Sequence, residues 1–349
     1  VRTINISNRP IGQGQPPYMI AEISANHGGD IERAKRIIEQ SAKSGADAVK
    51  FQLYTADSLT LNCPQEDFLI TGESLWKGRR LYELYEEAAT PYEWFEELFA
   101  HARKHNVTPF ASVFDEAGIE FMENLGAEAY KIASFETVDL GLISACAKTG
   151  KPLIISTGLC TLEDIQDAVD AFHDAGGTEL ILLQCNSSYP ANPKESHLVN
   201  IPDMAKHFNV PIGYSDHTTT SVQAIAAVAL GATVIEKHVI DAREPATADS
   251  AFSSLPEQFL ELCDSCLAAF HARGEISYGP TEHEKGSIKF RRSLYVCKDI
   301  KQGEAFSKEN VRSVRPGYGL APKHLENVLK GKATQDLVAG TPVSWDVVE

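Results

Sequence analysis

No stretch of this 349-residue chain approaches the ~20 consecutive apolar residues of a membrane-spanning helix, so no span is expected. Positive charge is in deficit. Lys and Arg number 32 against 48 Asp and Glu, a formal net charge of −16. Nucleic-acid binding calls for a basic face, so nucleic-acid partners are set aside. An acidic surface also repels anions, so an anionic substrate would need a local basic pocket. A disulfide framework is missing. The seven cysteines (Cys63, Cys146, Cys160, Cys185, Cys263, Cys266, Cys297) are odd in number and scattered, which argues for a reducing cytoplasm. Cys263 and Cys266 have zinc or redox spacing, yet they lie inside a helical stretch, 257–272, with no second Cys/His pair nearby. Two packed thiols is the reading, because a structural zinc site needs four ligands. Residues 4–17 are polar and broken by Gly and Pro, so no signal peptide is expected.

What is present is an alternation of strand and helix from residue 18 to about 273. Short apolar runs at 18–23, 48–53, 108–113, 129–133, 153–156, 180–184, 211–214 and 233–238 read as strands buried on both faces. Between them lie amphipathic helical segments, for example 31–44, 91–106, 119–125, 162–175 and 221–230. Several end in glycine, as at Gly45, Gly126, Gly150, Gly176 and Gly231. Eight such units over about 270 residues are the size of a (β/α)8 TIM barrel. A doubly wound open sheet would want a glycine-rich phosphate loop after strand one, and Ser24-Ala25-Asn26-His27-Gly28-Gly29 is not one. The fold expected is α/β: a barrel over 1–275, a linker over 276–292, and a small β-rich domain over 293–349 with strands at 294–297, 311–314 and 342–347. Excursions at 54–90 and 239–254 are long enough to be functional.

Chemistry in such a barrel sits at the carboxyl ends of the strands. Those ends carry polar residues almost every time: Glu22; Lys50 and Gln52; Lys131, Ser134 and Glu136; Ser156 and Thr157; Gln184, Asn186 and Ser187; Ser215, Asp216 and His217; Glu236 and His238. Burying so many polar groups without purpose is costly. A lone histidine is more often a core or surface residue than a ligand. His101 and His105, for example, sit in a helical stretch. His217 and His238 close adjacent strands, and with waters and Glu22 nearby they suit Mn²⁺, Fe²⁺ or Zn²⁺ better than Ca²⁺. Lys50 and Lys131 read either as rim lysines or as inward ammonium groups. With Ser134, Ser156 and Thr157 the inward pair suits a phosphate and a carboxylate, and a Schiff-base role is the rival.

Taken together, Ala21-Glu22-Ile23 with Asn26-His27-Gly28-Gly29, Val49-Lys50-Phe51-Gln52, Tyr130-Lys131-Ile132-Ala133-Ser134, Ile155-Ser156-Thr157-Gly158, the segment 213–218 and Glu236-Lys237-His238 resemble the sialic acid synthase family in order and spacing. The tail, with Arg315-Pro316-Gly317 and Gly331-Lys332, resembles that family's antifreeze-like (SAF) domain. The resemblance covers essentially the whole chain. The stretches 55–60, 75–78, 81–85, 90–94 and 248–253 resemble the branch that makes pseudaminic acid. Members that make N-acetylneuraminate tend to carry Gly-Pro-Asp-His where this chain has Thr247-Ala248-Asp249-Ser250, and the family's frequent Thr after the cysteine is Asn186 here.

The resemblance implies a cytoplasmic bacterial enzyme that condenses phosphoenolpyruvate with the open-chain aldehyde of a 2,4-diacetamido-2,4,6-trideoxy-L-altrose. N-acetylneuraminate and legionaminate synthases are the alternatives with another sugar. A deoxyheptulosonate-phosphate synthase and a non-catalytic sugar-binding barrel are more distant ones. His217 and His238 would hold a divalent metal, Mn²⁺ first and Mg²⁺ or Co²⁺ as substitutes, that polarises the aldehyde oxygen. Lys50, Lys131, Ser134, Ser156, Ser187 and Ser215 would grip phosphoenolpyruvate, with Gln52 and Asn186 also in contact with substrate. Glu22 and Glu136 would move protons. Tyr189 and Asp249 would contact the sugar. The family further implies a domain-swapped homodimer in which the tail of one chain brings Arg315 to the other chain's acetamido sugar.

Overall fold

A computed structural model describes residues 2–71 and 75–349, so 72–74 of the first excursion lie outside the described residues. The chain divides into two compact units, Val1–Gly274 and Glu275–Glu349.

The first unit opens with a hairpin, β1 (Ile4–Ile6) and β2 (Arg9–Ile11), paired antiparallel. Eight strands then close into a parallel barrel: β3 (Tyr18–Glu22), β4 (Ala48–Leu53), β5 (Thr108–Val113), β6 (Tyr130–Ile132), β7 (Leu153–Ser156), β8 (Leu180–Cys185), β9 (Ile212–Asp216) and β10 (Val234–His238), the last pairing back to β3. The TIM-barrel expectation holds, strand by strand.

Helices wrap the outside: α1 (Ile31–Lys43), α2 (Ala56–Leu59), α3 (Leu81–Ala88), α4 (Phe95–Lys104), α5 (Glu116–Asn124), α6 (Leu140–Lys148), α7 (Leu162–Asp174), α8 (Asn200–Phe208), α9 (Val222–Ala229) and α10 (Pro256–Arg273). Their starts obey local chemistry. The Asp30 side chain accepts from the Glu32 amide at the head of α1, and Thr161 with Asp164 forms a capping box on α7. After α5 the chain reverses through Gly126 at φ 66°, a conformation a Cβ would strain. The stretch 91–106 begins as a 3-10 turn at Tyr92–Trp94, and α4 proper starts at Phe95.

Strand parity sorts the barrel residues into two layers. Outward side chains such as Phe51, Ala111, Ile132, Ile155, Leu182 and Ile235 pack under the helices. Inward ones form a separate apolar plug: Ile20, Ala48, Phe110, Ala129, Ile154, Leu183 and Val234. Ile4, Ile6 and Ile11 of the hairpin join this plug and seal the lower end. The hairpin was not foreseen, although alternating Ile4-Asn5-Ile6 before a Ser7-Asn8 turn carries its signal. Both turn residues take positive φ (49° and 62°), as a tight hairpin turn requires. Gly213 belongs to the same storey, where an added Cβ would stand 2.5 Å from Leu183 and from the Val234 carbonyl. Two residues further along each strand the inward side chains turn polar, and that second storey is the mouth.

In the second unit β11 (Ser293–Val296) and β12 (Val311–Val314) pair antiparallel over a core of Leu294, Val296, Ile300, Phe306, Val328 and Val343. The expected strand at 342–347 is not one. It contributes a single bridge, Tyr295 to Pro342, and a 3-10 turn at Trp345–Val347. Proline has no N–H for a ladder, which limits pairing there. A helical turn, α11 (Leu325–Val328), and a 3-10 helix at Glu282–Phe290 complete the unit.

Candidate active site

The inward polar storey follows from parity. Two positions beyond Ile20, Ala48, Phe110, Ala129, Ile154, Leu183, Gly213 and Val234 come Glu22, Lys50, Ser112, Lys131, Ser156, Cys185, Ser215 and Glu236. All eight are buried.

Their charges are arranged unevenly. Lys50 Nζ lies 2.5 Å from Glu22 Oε2 and 3.8 Å from Glu236 Oε2, and it donates to Ser112 Oγ at 3.2 Å. Burial raises the Glu22 pKa against the pull of Lys50. Burial also works on Glu236, but Lys131, Lys50 and the Ser215 hydroxyl (2.9 Å) hold it below the usual carboxylate range. Lys131 differs from Lys50. Its Nζ donates to Ser156 Oγ at 2.7 Å and to the Ile132 carbonyl at 2.9 Å, and among the described residues no carboxylate forms an ion pair with it. Burial lowers its pKa accordingly. An ammonium group in that position is stabilised by an incoming anion.

Beside it the loops after β6, β7 and β8 make a small cradle. Ser134 Oγ accepts from the Gly158 amide at 3.1 Å. An added Cβ at Gly158 would fall 2.2 Å from Ser187 Oγ and 2.7 Å from Ser134 Oγ. Two hydroxyls thus crowd a backbone that only glycine permits, an arrangement suited to phosphate oxygens. Glu136 stands in the 3-10 turn Ser134–Glu136, with Oε2 buried and lacking a hydrogen bond. Burial pushes its carboxyl up to about 7, against Lys131.

The two histidines meet at the rim with ring centroids 5.4 Å apart. His217 Nδ1 donates to the Asn186 carbonyl at 2.7 Å and lies 3.8 Å from Cys185 Sγ. That bond sets the tautomer and leaves Nε2 as the electron-pair donor. Burial lowers the His217 pKa, but Cys185 and the Asn186 carbonyl outweigh it and the net direction is up. His238 is held neutral, well below its ordinary range, by burial and by the neighbouring His217 and Lys50. Its Nδ1 is buried without a hydrogen bond, 3.6 Å from Asp249 Oδ2. A neutral imidazole and a second with a fixed tautomer are what a divalent cation requires, so the pair fits a metal.

Around the histidines the walls are aromatic. The Tyr189 ring sits 4.4 Å from His217 and 5.2 Å from Phe252, between centroids. The 239–254 loop reaches the rim because Arg33 holds it. Nε pairs with Asp241 Oδ1 at 2.7 Å, and the NH groups donate to the carbonyls of Pro245 and Ala242 at 2.9 and 2.8 Å. Asn26 Nδ2 donates to the Val239 carbonyl and to Ser253 Oγ, at 2.8 and 2.7 Å. A cavity of about 580 Å³, lined by Leu75, Trp76, Arg243, Thr247, Ala248 and Ser250 among others, opens between the two excursions.

Most of the expected residues thus gather at one mouth, with some corrections. Gln52 donates to Glu22 Oε1 and Ser24 Oγ (3.0 and 2.9 Å), on the far side from the serine cradle. The Asn186 side chain is spent on its own loop, accepting from the Ser188 amide and donating to the Glu195 carbonyl, and its backbone carbonyl is what touches His217. Gln184 and Asp216 of the expected ring point outward. Asp216 pairs with Lys237 at 2.8 Å, and Gln184 donates to the Ser196 carbonyl. Arg315 is exposed in the second unit. Ser112 and Cys185 were missed as mouth residues, and Glu236 had no role assigned. Counting by twos from the apolar plug finds all three.

Among the described residues, the group of three or more possible metal ligands is elsewhere, at Glu39, His101 and His105 on the helical flank.

Comparison with known proteins identifies the family. The chain is 43% identical over 323 residues to the pseudaminic acid synthase of Campylobacter jejuni, covering 93% of this chain and 94% of that one. It is 42% identical to the pseudaminic acid synthase of Helicobacter pylori, covering 96% and 98%. Its backbone matches the crystal structure of an N-acetylneuraminic acid synthetase from Leptospira borgpetersenii with a TM-score of 0.74 at 30% identity, over 82% of this chain and 95% of that one. A SAF domain model matches residues 291–349. With a family model matched over residues 37–278 and relatives of this identity along nearly the full length, the chain belongs to the NeuB family.

Proposed function

We propose that this chain condenses phosphoenolpyruvate with the open-chain aldehyde of 2,4-diacetamido-2,4,6-trideoxy-L-altrose, giving pseudaminic acid and phosphate. The identity to pseudaminic acid synthases over nine-tenths of the chain supports the sugar. The observation that carries the chemistry is Lys131, a buried ammonium whose hydrogen bonds among the described residues go to a hydroxyl and a carbonyl, beside the Ser134–Gly158–Ser187 cradle.

In this reading Lys131, Ser156, Ser134, Ser187 and the Gly158 amide bind the phosphate and carboxylate of phosphoenolpyruvate. Lys50 and Ser215, tied to Glu22 and Glu236, hold the enol carbon toward the rim. Carbon 3 attacks the aldehyde, water adds at carbon 2, and the carbon–oxygen bond to phosphate breaks. Glu22 and Glu136, whose carboxyls burial raises, take and return the protons of the water and the new hydroxyl. Enzymes of this family generally depend on a metal. His217 and His238 would hold it, with Mn²⁺ first and Mg²⁺ or Co²⁺ as substitutes. When bound, the cation supplies Lewis-acid polarisation of the aldehyde oxygen. Tyr189 and Asp249 face the sugar from the rim, and the cavity between the excursions admits its acetamido arms.

The assignment extends to the assembly: a barrel over 1–275, a linker over 276–292 and an SAF domain over 293–349, working as a domain-swapped homodimer that presents Arg315 to the partner's sugar. The seven free thiols and the use of phosphoenolpyruvate support a bacterial cytoplasm. No helix among the described residues is long and apolar enough to cross a membrane.

The test is phosphate release with phosphoenolpyruvate and Mn²⁺, using the altrose-derived sugar and N-acetylmannosamine in parallel, with and without chelator. Chelator-sensitive release with the altrose sugar alone is expected. Release with N-acetylmannosamine instead would overturn the sugar. Silence with both, in folded protein that binds metal, would overturn the reaction.

A further inference from the structure

Outside the mouth, one polar cluster on the barrel's flank has the composition and geometry of a ligand set. His101 lies in the last turn of α4 and His105, four positions on, is the residue that caps its C-terminal end, so the two share a face. Their ring centroids stand 4.7 Å apart, tilted by 47°. Helix α1 packs alongside and brings in Glu39. Glu39 Oε1 lies 3.2 Å from His101 Nε2 and 3.9 Å from His105 Nε2, and the three ligand atoms all lie within 4.8 Å of one another. A tetrahedral zinc with bonds of ~2.0–2.1 Å holds neighbouring ligand atoms about 3.3 Å apart, so the Glu39–His101 distance already matches that spacing and the Glu39–His105 distance is somewhat longer.

We propose that Glu39, His101 and His105 form a second metal site, binding Zn²⁺ or a similar borderline cation with water in the fourth position. Three further observations support it. His101 Nε2 is buried and makes no hydrogen bond, although Glu39 Oε1 is only 3.2 Å away. A plain His–Glu hydrogen bond would have used that nitrogen. The other carboxylate oxygen faces Lys43 Nζ at 3.9 Å, which leaves Oε1 to the histidines. The side chains are 37%, 16% and 27% exposed for Glu39, His101 and His105, so water can complete the coordination. Two imidazoles and one carboxylate suit zinc, cobalt or nickel and disfavour magnesium, which prefers oxygen ligands.

The site belongs to the opposite end of the barrel from the chemistry. A helix in a βα unit runs back from the mouth, and all three residues lie in the later part of α1 or at the end of α4. A cation here would staple two neighbouring units together and would not touch substrate. It would raise stability and leave turnover alone.

The test uses the full chain. In a His217→Gln/His238→Gln background the flank should still take up one equivalent of zinc. With Co²⁺ as probe it should show the visible absorption of a four-coordinate ion, and zinc should raise its melting temperature. Adding His101→Gln and His105→Gln should abolish all three. In the otherwise intact chain the same two substitutions should lower zinc stoichiometry by one equivalent and leave phosphate release within about twofold of the parent. That second readout stands even if the mouth variant fails to fold. Equal zinc uptake with and without His101 and His105 would overturn the site. A loss of phosphate release with unchanged folding would overturn its separation from catalysis.

Discussion

Glu136 shows how burial can prepare a carboxyl for the proton transfer proposed for it. Its carboxyl is pushed up from 4.5 to about 7, so the folded chain binds a proton there that an exposed carboxyl would have lost. The stability tied to this neutral form is fully present below about pH 4.5 and is lost as pH rises through about 7. The pH profile of kcat/KM should therefore have a limb near 7. Glu136→Gln should remove that limb and lower kcat by ~10²–10⁴-fold. A limb that survives the substitution would assign the titration to another group. At this scale the sequence was legible wherever residue type and strand position agreed, as at Lys50, Lys131, His217 and His238. It misled where parity was ignored. Asp216 follows Ser215 directly, so it must face the helices, and there it finds Lys237.

At the scale of elements, strands were easy to read because burial on both faces leaves an unbroken apolar run. Irregular segments were not, since their shape depends on partners far away in the chain. The 239–254 loop is the clearest case. Its course is set by Arg33, more than 200 residues earlier, through one ion pair and two carbonyls. Arg33 and Asp241 are largely buried, with side chains 4% and 10% exposed. Removing one partner of such a pair costs about 3–5 kcal/mol. Arg33→Ala should lower the melting temperature and raise the sugar KM several-fold, while the KM for phosphoenolpyruvate stays put. Equal shifts in both KM values would show that the whole mouth, and not this loop, depends on the arginine.

For the molecule as a whole, the residues proposed to hold phosphoenolpyruvate all lie in the barrel unit, Val1–Gly274. The SAF unit's contribution is proposed through Arg315 and a second chain. The expected particle in light scattering has twice the mass of one chain. A hydrogen bond from a charged group is worth about 1.5–3 kcal/mol, so Arg315→Ala should raise the sugar KM about tenfold or more without altering the particle's mass. An unchanged sugar KM would leave Arg315 as a surface residue.

The sequence by itself determined the eight strand–helix units, the closed barrel, the appended small domain and the residue types at the strand ends. Each of these rests on local spacing, which period-two and period-3.6 patterns encode directly. Only the tertiary structure decided how the polar groups are paired. It set Glu22 on Lys50, left Lys131 without a carboxylate ion pair among the described residues, crowded two serines over Gly158, and brought Glu39 to His101 and His105. These facts depend on distances between residues tens to hundreds of positions apart. Charge–charge energies fall with distance and rise with burial, and neither quantity is written in a linear pattern.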